Sequence, residues 1–250
     1  LRAASVLGKL EPSPASLTGL SRLLQDADPD VRLAAAEALA GVGARALPAL
    51  DALTRALHDE NPRVRLQAVR AIASMGEAAA PSIPALVDLL DDNSFEIPEA
   101  AAEALFAIGP RGVLALVRLH AEQGSKAPPE VEWALGTREA TRALLDGLRH
   151  PDPEVRRLSA QALGPRAGTN AEVARGLAAL LADPVQEVQA AARDALRQSR
   201  LNPLPHLLPV LRSDLPVGAR RALVELATEL AEAGGPEAVA LLAGSLRDLL

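Results

Sequence analysis

Residues 28–39 read Asp28-Pro29-Asp30-Val31-Arg32-Leu33-Ala34-Ala35-Ala36-Glu37-Ala38-Leu39, and residues 60–72 read Glu60-Asn61-Pro62-Arg63-Val64-Arg65-Leu66-Gln67-Ala68-Val69-Arg70-Ala71-Ile72. Val31 maps onto Val64 and Gly43 onto Gly76, each 33 residues on; a further step of 33 reaches Ile97, Ala101, Leu105 and Gly109. The pattern returns at Pro153-Glu154-Val155-Arg156 and at Val188-Gln189, with a looser copy from Pro216-Val217. Ala3-Ala4-Ser5-Val6-Leu7-Gly8 fits the second half of one more unit. A fixed period of this length specifies stacked supersecondary units, each too small to bury its own apolar face.

Each unit reads as two helices. The first carries leucines at helical spacing, as in Leu17, Leu20, Leu23, Leu24 or Ile83, Leu86, Val87, Leu90. A turn with Asp-Pro or Asn-Pro follows, and its proline suits the first turn of the next helix, where the missing N–H costs nothing. The second helix has the stripe Val64, Ala68, Ala71, Ile72, Met75, and glycine closes it. The expectation is an all-α solenoid over residues 1–250. It would hold a single array of about seven hairpins with half-units at the ends, and an irregular unit near 110–136.

Composition agrees with helices and excludes several function classes. The 250 residues include 52 Ala and 45 Leu but only 21 Val plus Ile and three aromatics, which disfavours sheets and base-stacking platforms. The net charge of −6 argues against a nucleic-acid partner. The absence of Cys removes disulfides and thiolate chemistry and leaves the redox compartment open, with the cytoplasm slightly favoured. The longest stretch without Asp, Glu, Lys or Arg is 11 residues, so no membrane span is expected. The chain begins with Leu rather than Met, inside what reads as a helix, which suggests a preceding segment.

The pattern Leu-Leu-x-Asp-x-Asp-Pro-x-Val-Arg-x-x-Ala-Ala-x-Ala-Leu, nearly complete at residues 23–39 and well matched at 57–72, 148–163 and 180–196, resembles HEAT repeats. It is most similar to the Ala-rich bacterial subgroup related to phycobilisome-lyase repeats. The resemblance implies a right-handed superhelix with second helices lining the concave face. It also implies a polar ladder in which Asp26/Arg32 and Asp59/Arg65 link adjacent turns. By the same offset Glu37, Arg70 and Glu103 form one row on the concave side, where Glu37 and Arg70 would add an ion pair between stacked helices.

Departures from the repeat mark the candidate site. Pro98 stands where other units have Arg, and all three aromatics, Phe95, Phe106 and Trp133, fall between residues 93 and 135. Seven acidic residues and no basic one lie between Arg70 and Arg111. A partner-binding site is therefore expected on the concave side and adjoining loops of 93–135, with Phe95, Glu99, Glu103, Phe106 and Trp133 as contacts. Its acidic setting selects a basic or Arg-rich peptide or protein.

Other motifs give less. Arg193, Arg197, Arg200, Arg212, Arg220 and Arg221 outnumber Asp194 and Asp214, but aromatic partners for a nucleic acid are missing. His58 and His150 sit in equivalent turns, and no His-Glu or His-x-x-x-His pairing suggests a metal. No nucleophile elbow or phosphate-binding glycine loop occurs. The expectation is a non-catalytic interaction scaffold without cofactor or metal; the alternatives are a bilin-lyase-like, chromophore-handling protein and, further off, a nucleic-acid binder. Leu241, Leu242, Leu246, Leu249 and Leu250 at the end suggest weak self-association through terminal helices.

Overall fold

The computed structural model describes residues 13–211 and 217–247. The half-unit read at residues 3–8, and Arg212, Asp214, Leu249 and Leu250, lie outside the described residues. Among the described residues every regular element is helical. Contacts divide the chain into two compact units, Leu1–Ala140 and Thr141–Leu250.

The first unit is built from α1 (Pro14–Leu23), α2 (Pro29–Val42), α3 (Leu50–Ala56), α4 (Pro62–Ala73), α5 (Ile83–Asp88), α6 (Ile97–Ile108), α7 (Pro110–Gln123) and α8 (Pro129–Gly136). Second helices stack on one another, α2 on α4 and α4 on α6, while α1, α3 and α5 pack against the second helix that follows each. The stacking face is made of small residues: Ala35, Ala36, Ala68, Ala71, Ala101 and Ala102 are fully buried, which lets backbones approach closely. Larger side chains, among them Leu39, Leu53, Leu57, Ile72, Leu86 and Leu105, fill the space between the two helix layers. Burial of such a side chain is worth about 1.5–3 kcal/mol, so the stack is held mainly by its neighbours.

The turns follow from sequence chemistry. Asp28, Asn61 and Asp152 cap their helices by accepting the N–H two residues on, with proline next. Gly43 and Gly109 close α2 and α6, and Gly76 follows the end of α4, with φ of 65°, 91° and 60°, a region that side chains with a Cβ avoid. Just beyond, a Cβ on Gly112 would lie 2.0 Å from the Leu105 carbonyl oxygen, so the close approach of α7 to α6 at this point requires a glycine.

Helix α9 (Arg138–Gly147) begins in the first unit and ends in the second. The second unit continues with α10 (Pro153–Leu163), α11 (Ala171–Ala179), α12 (Gln186–Arg197), α13 (Leu204–Leu211), α14 (Val217–Gly234) and α15 (Pro236–Arg247). Here α10 stacks on α12, α11 on α13, and α14 on both α13 and α15. Leu163, Leu177, Leu196, Leu207 and Leu223 are fully buried among them.

One helical run, Pro29–Ala56, is long and apolar enough by length and composition to cross a membrane. Half of its most apolar window is buried inside the protein, and the run supplies the core residues Leu33, Leu39, Leu50 and Leu53. Its hydropathy is that of core helices joined end to end.

Candidate functional site

The site is defined by where a repeating ion-pair ladder stops. The Arg32 guanidinium donates from Nε to Asp59 Oδ2 at 2.7 Å and from Nη2 to Asp59 Oδ1 at 2.9 Å. Its Nη1 donates to the carbonyls of Asp26 and Ala27 at 3.0 and 3.2 Å. Arg65 repeats the arrangement, with Nη1 on the carbonyls of Asp59 and Glu60 and Nη2 3.0 Å from Asp92 Oδ1. In the second unit Arg156 grips Asp183 at 2.7 and 3.0 Å and the carbonyls of His150 and Pro151. Arg32 and Arg156 thus tie their own turn to the next one by a two-pronged, charge-assisted contact, and Arg65 does so by one hydrogen bond and an ion pair, its Nε 2.9 Å from Asp92 Oδ2.

The acceptor residue also closes its turn. Asp26, Asp59, Asp92 and Asp183 each accept the N–H two residues on, at 2.9–3.0 Å. His150 does the same through Nδ1, which accepts the Asp152 N–H at 3.0 Å. His150 therefore holds the Asp position of its turn, whereas His58 lies one residue before Asp59. The two histidines share a type of turn but not a place in it.

These contacts set the charge states. Burial alone pushes the Asp59 carboxyl up, but hydrogen bonds from Arg32 and the Asn61 N–H, with the attraction of Arg32, hold it below its ordinary value. Asp92 is lowered against burial by Arg65 and Ser94, and Asp183 by Arg156 and the Val185 N–H.

Pro98 replaces the next arginine. Had the helix begun at Phe95, the counterpart of Pro62, Pro98 would sit beyond the first turn and clash with the preceding carbonyl. Instead α6 begins at Ile97, which places Pro98 in the first turn. Glu96 precedes the helix without capping it, and Ser94 Oγ accepts from Arg65 Nη2 instead. Phe95 is left outside the helix and 96% exposed.

An open groove of about 410 Å³ lies at this point of the first unit. Asp92, Asn93, Ser94, Phe95, Pro98 and Glu99 form one side, and Pro129, Glu130 and Trp133 the other. Trp133 is 57% exposed and also borders a second hollow with Glu132, Gly136 and Thr137. Among the described residues three carboxylates and no Lys or Arg line the groove, and Arg65 already neutralises Asp92. A concave surface with two exposed rings and uncompensated carboxylates suits a cationic, partly apolar segment.

The structure brings Phe95, Glu99 and Trp133 together and leaves two expected contacts out. Phe106 is half-buried and packs against the core, as do its counterparts Ala40 and Ala73. Its position is at the edge of the stack rather than on the groove. Glu103, one helical turn beyond Glu99, is exposed but does not line the groove. Pro129 and Glu130 carry no mark in the sequence, because nothing local reports that α8 returns to face the 92–99 turn.

Glu37 and Arg70 are exposed and form no ion pair with each other, so this proposed rung is absent; they sit on adjacent helices, open to water. Toward the end, Arg197 pairs with Glu229 at 2.5 Å and Arg221 with Glu225 at 3.0 Å, which offsets the basic cluster. Of the terminal leucines, Leu241 is exposed, Leu242 buried and Leu246 half-buried, so the apolar edge is narrower than the sequence suggests. Among the described residues no cluster of His, Asp or Glu is arranged to hold a metal ion.

No curated protein matches the chain in sequence. Among solved structures, an engineered protein superposes with a TM-score of 0.47 at 22% identity, covering 98% of this chain and 77% of its own. The complex of CpcE and CpcF of phycocyanin lyase from Nostoc sp. PCC7120 gives 0.40 at 22% identity, covering 88% of this chain and 99% of its own. A designed armadillo repeat protein in complex with peptide (KR)4 gives 0.35 at 23% identity, covering 78% and 90%. The model for HEAT repeats matches residues 18–106, 50–127 and 130–197. With that match over most of its length, and two-helix units tied turn to turn, the chain belongs to the HEAT repeat family.

Proposed function

We propose that this chain is a non-catalytic protein-binding module that holds a segment of a partner protein in the groove between Phe95 and Trp133. HEAT repeats are typical of protein-interaction scaffolds, which supports the general class. The observation that carries the specific reading is the pair of exposed rings on opposite walls of one groove whose charged lining is acidic. Aromatic anchors of this kind commonly contribute about 2 kcal/mol or more each to an interface. Glu99 and Glu130 set the sign of the partner: basic.

Selection of binders from a displayed random peptide library tests this. The selected peptides should be enriched in basic residues and should weaken at least about tenfold on Phe95→Ala or Trp133→Ala, with thermal unfolding unchanged. Binders insensitive to both substitutions would move the site elsewhere. Stoichiometric uptake of a bilin quenched by the same substitutions would favour the chromophore-handling alternative instead.

A further inference from the structure

The groove is also the place where the chain stops supplying its own arginine. In three repeats the guanidinium donates through Nη1 to the carbonyls six and five residues before it. Arg32 reaches Asp26 and Ala27, Arg65 reaches Asp59 and Glu60, and Arg156 reaches His150 and Pro151. Gln189 keeps half of the pattern, donating to the Asp183 carbonyl at 2.6 Å. The same offset from residue 98 gives the carbonyls of Asp92 and Asn93, and the Pro98 side chain has no donor to offer them. No donor among the described residues reaches either carbonyl. Asp92, Asn93 and Pro98 all line the groove, and the Asp92 turn is closed in the same way as its counterparts.

We propose that an arginine side chain of the partner enters this groove and completes the ladder in trans. This rests on the protein-binding reading above and names the group that the groove recognises. The incoming guanidinium would donate to the carbonyls of Asp92 and Asn93, as Arg32 and Arg65 do to their own turns. The residue 27 positions after Pro98, where other rungs find their aspartate, is Ser125. Glu99 and Glu130 supply the negative charge instead, and Phe95 and Trp133 supply faces on which a planar cation stacks. Two carbonyls, a carboxylate and a ring call for a flat fork with several fixed donors. A lysine ammonium is a point charge and satisfies only part of that set.

The test uses two pools of capped pentapeptides with randomised flanks, one with Arg fixed at the centre and one with Lys. Each is titrated into the full chain, with the fluorescence of Trp133, the one tryptophan, as the signal. The Arg pool should bind at least about fivefold more tightly than the Lys pool, given the fork geometry. Pro98→Arg should abolish that preference, because the chain's own guanidinium then takes the place, while Pro98→Ala should keep it. Equal affinity for the two pools, or a folded Pro98→Arg protein that still prefers Arg, would overturn the proposal. Should Pro98→Arg fail to fold, replacing the central Arg by the neutral isostere citrulline decides the matter on the unaltered chain: binding must fall. Peptides that bind through Phe95 and Trp133 with no Arg preference would leave the module reading intact and remove this one.

Discussion

Asp59 is held by two arginines at once: Arg32 of the preceding turn grips its carboxylate, with Nε 2.7 Å from Oδ2, while Arg65 of its own turn donates to its carbonyl at 2.8 Å. The side chains of Arg32 and Asp59 are only 9% and 8% exposed, so the link is sheltered from water. Arg32→Met should cost about 2–3 kcal/mol, because it strands a buried carboxylate and two carbonyls. Asp59→Asn should cost less, since the amide oxygen can still accept the Asn61 N–H. Urea denaturation of both variants measures the difference.

Acid should weaken the protein through the same residues. Asp59, Asp92 and Asp183 titrate below their ordinary value of 3.8 when folded. Their contribution is therefore complete above the unfolded value and is lost as pH falls through the folded ones. The urea midpoint should hold steady down to about pH 5 and drop below about pH 4. Asp59→Asn combined with Asp183→Asn should flatten that drop; an unchanged slope would mean that other carboxylates govern acid unfolding.

Phe106 and Phe95 should behave oppositely. Phe106→Ala removes a ring packed on the core and should cost about 2–3 kcal/mol, somewhat less than a fully buried phenylalanine. Phe95→Ala, at a 96% exposed position, should leave unfolding unchanged. Paired thermal melts and peptide titrations would show one variant losing stability and the other losing affinity.

Two glycines in helices should also diverge. Gly112→Ala drives a Cβ onto the Leu105 carbonyl oxygen and should cost about 3 kcal/mol through forced separation of α6 and α7. Gly41→Ala meets nothing within 4 Å in α2 and should stabilise by about 0.5–1 kcal/mol. Denaturation midpoints moving in the same direction would contradict the close contact at Gly112.

The sequence by itself determined the repeat, the helix pairs and their turns, because these rest on local chemistry. Proline in a first turn, an Asx cap and a glycine with positive φ all act within a few residues. The 33-residue period then repeats the answer. Pro98 was also legible as a break in the pattern, and with it the acidic, aromatic neighbourhood of 93–135. Only the tertiary structure decided which groups meet. Arg32 finds Asp59 27 residues away because stacking sets adjacent turns side by side, and periodicity says nothing about where a flexible guanidinium ends. Glu37 and Arg70 share a row by offset yet form no pair, since both are exposed and water competes for their charges. Phe106 lies against the core, as its counterparts Ala40 and Ala73 do, while Phe95 stands just before α6 at a place that is also exposed in other repeats, at Pro29 and Pro62. The far wall of the groove, with Pro129, Glu130 and Trp133, comes from the return of α8 after an irregular connection, a long-range placement made by packing rather than by any local signal.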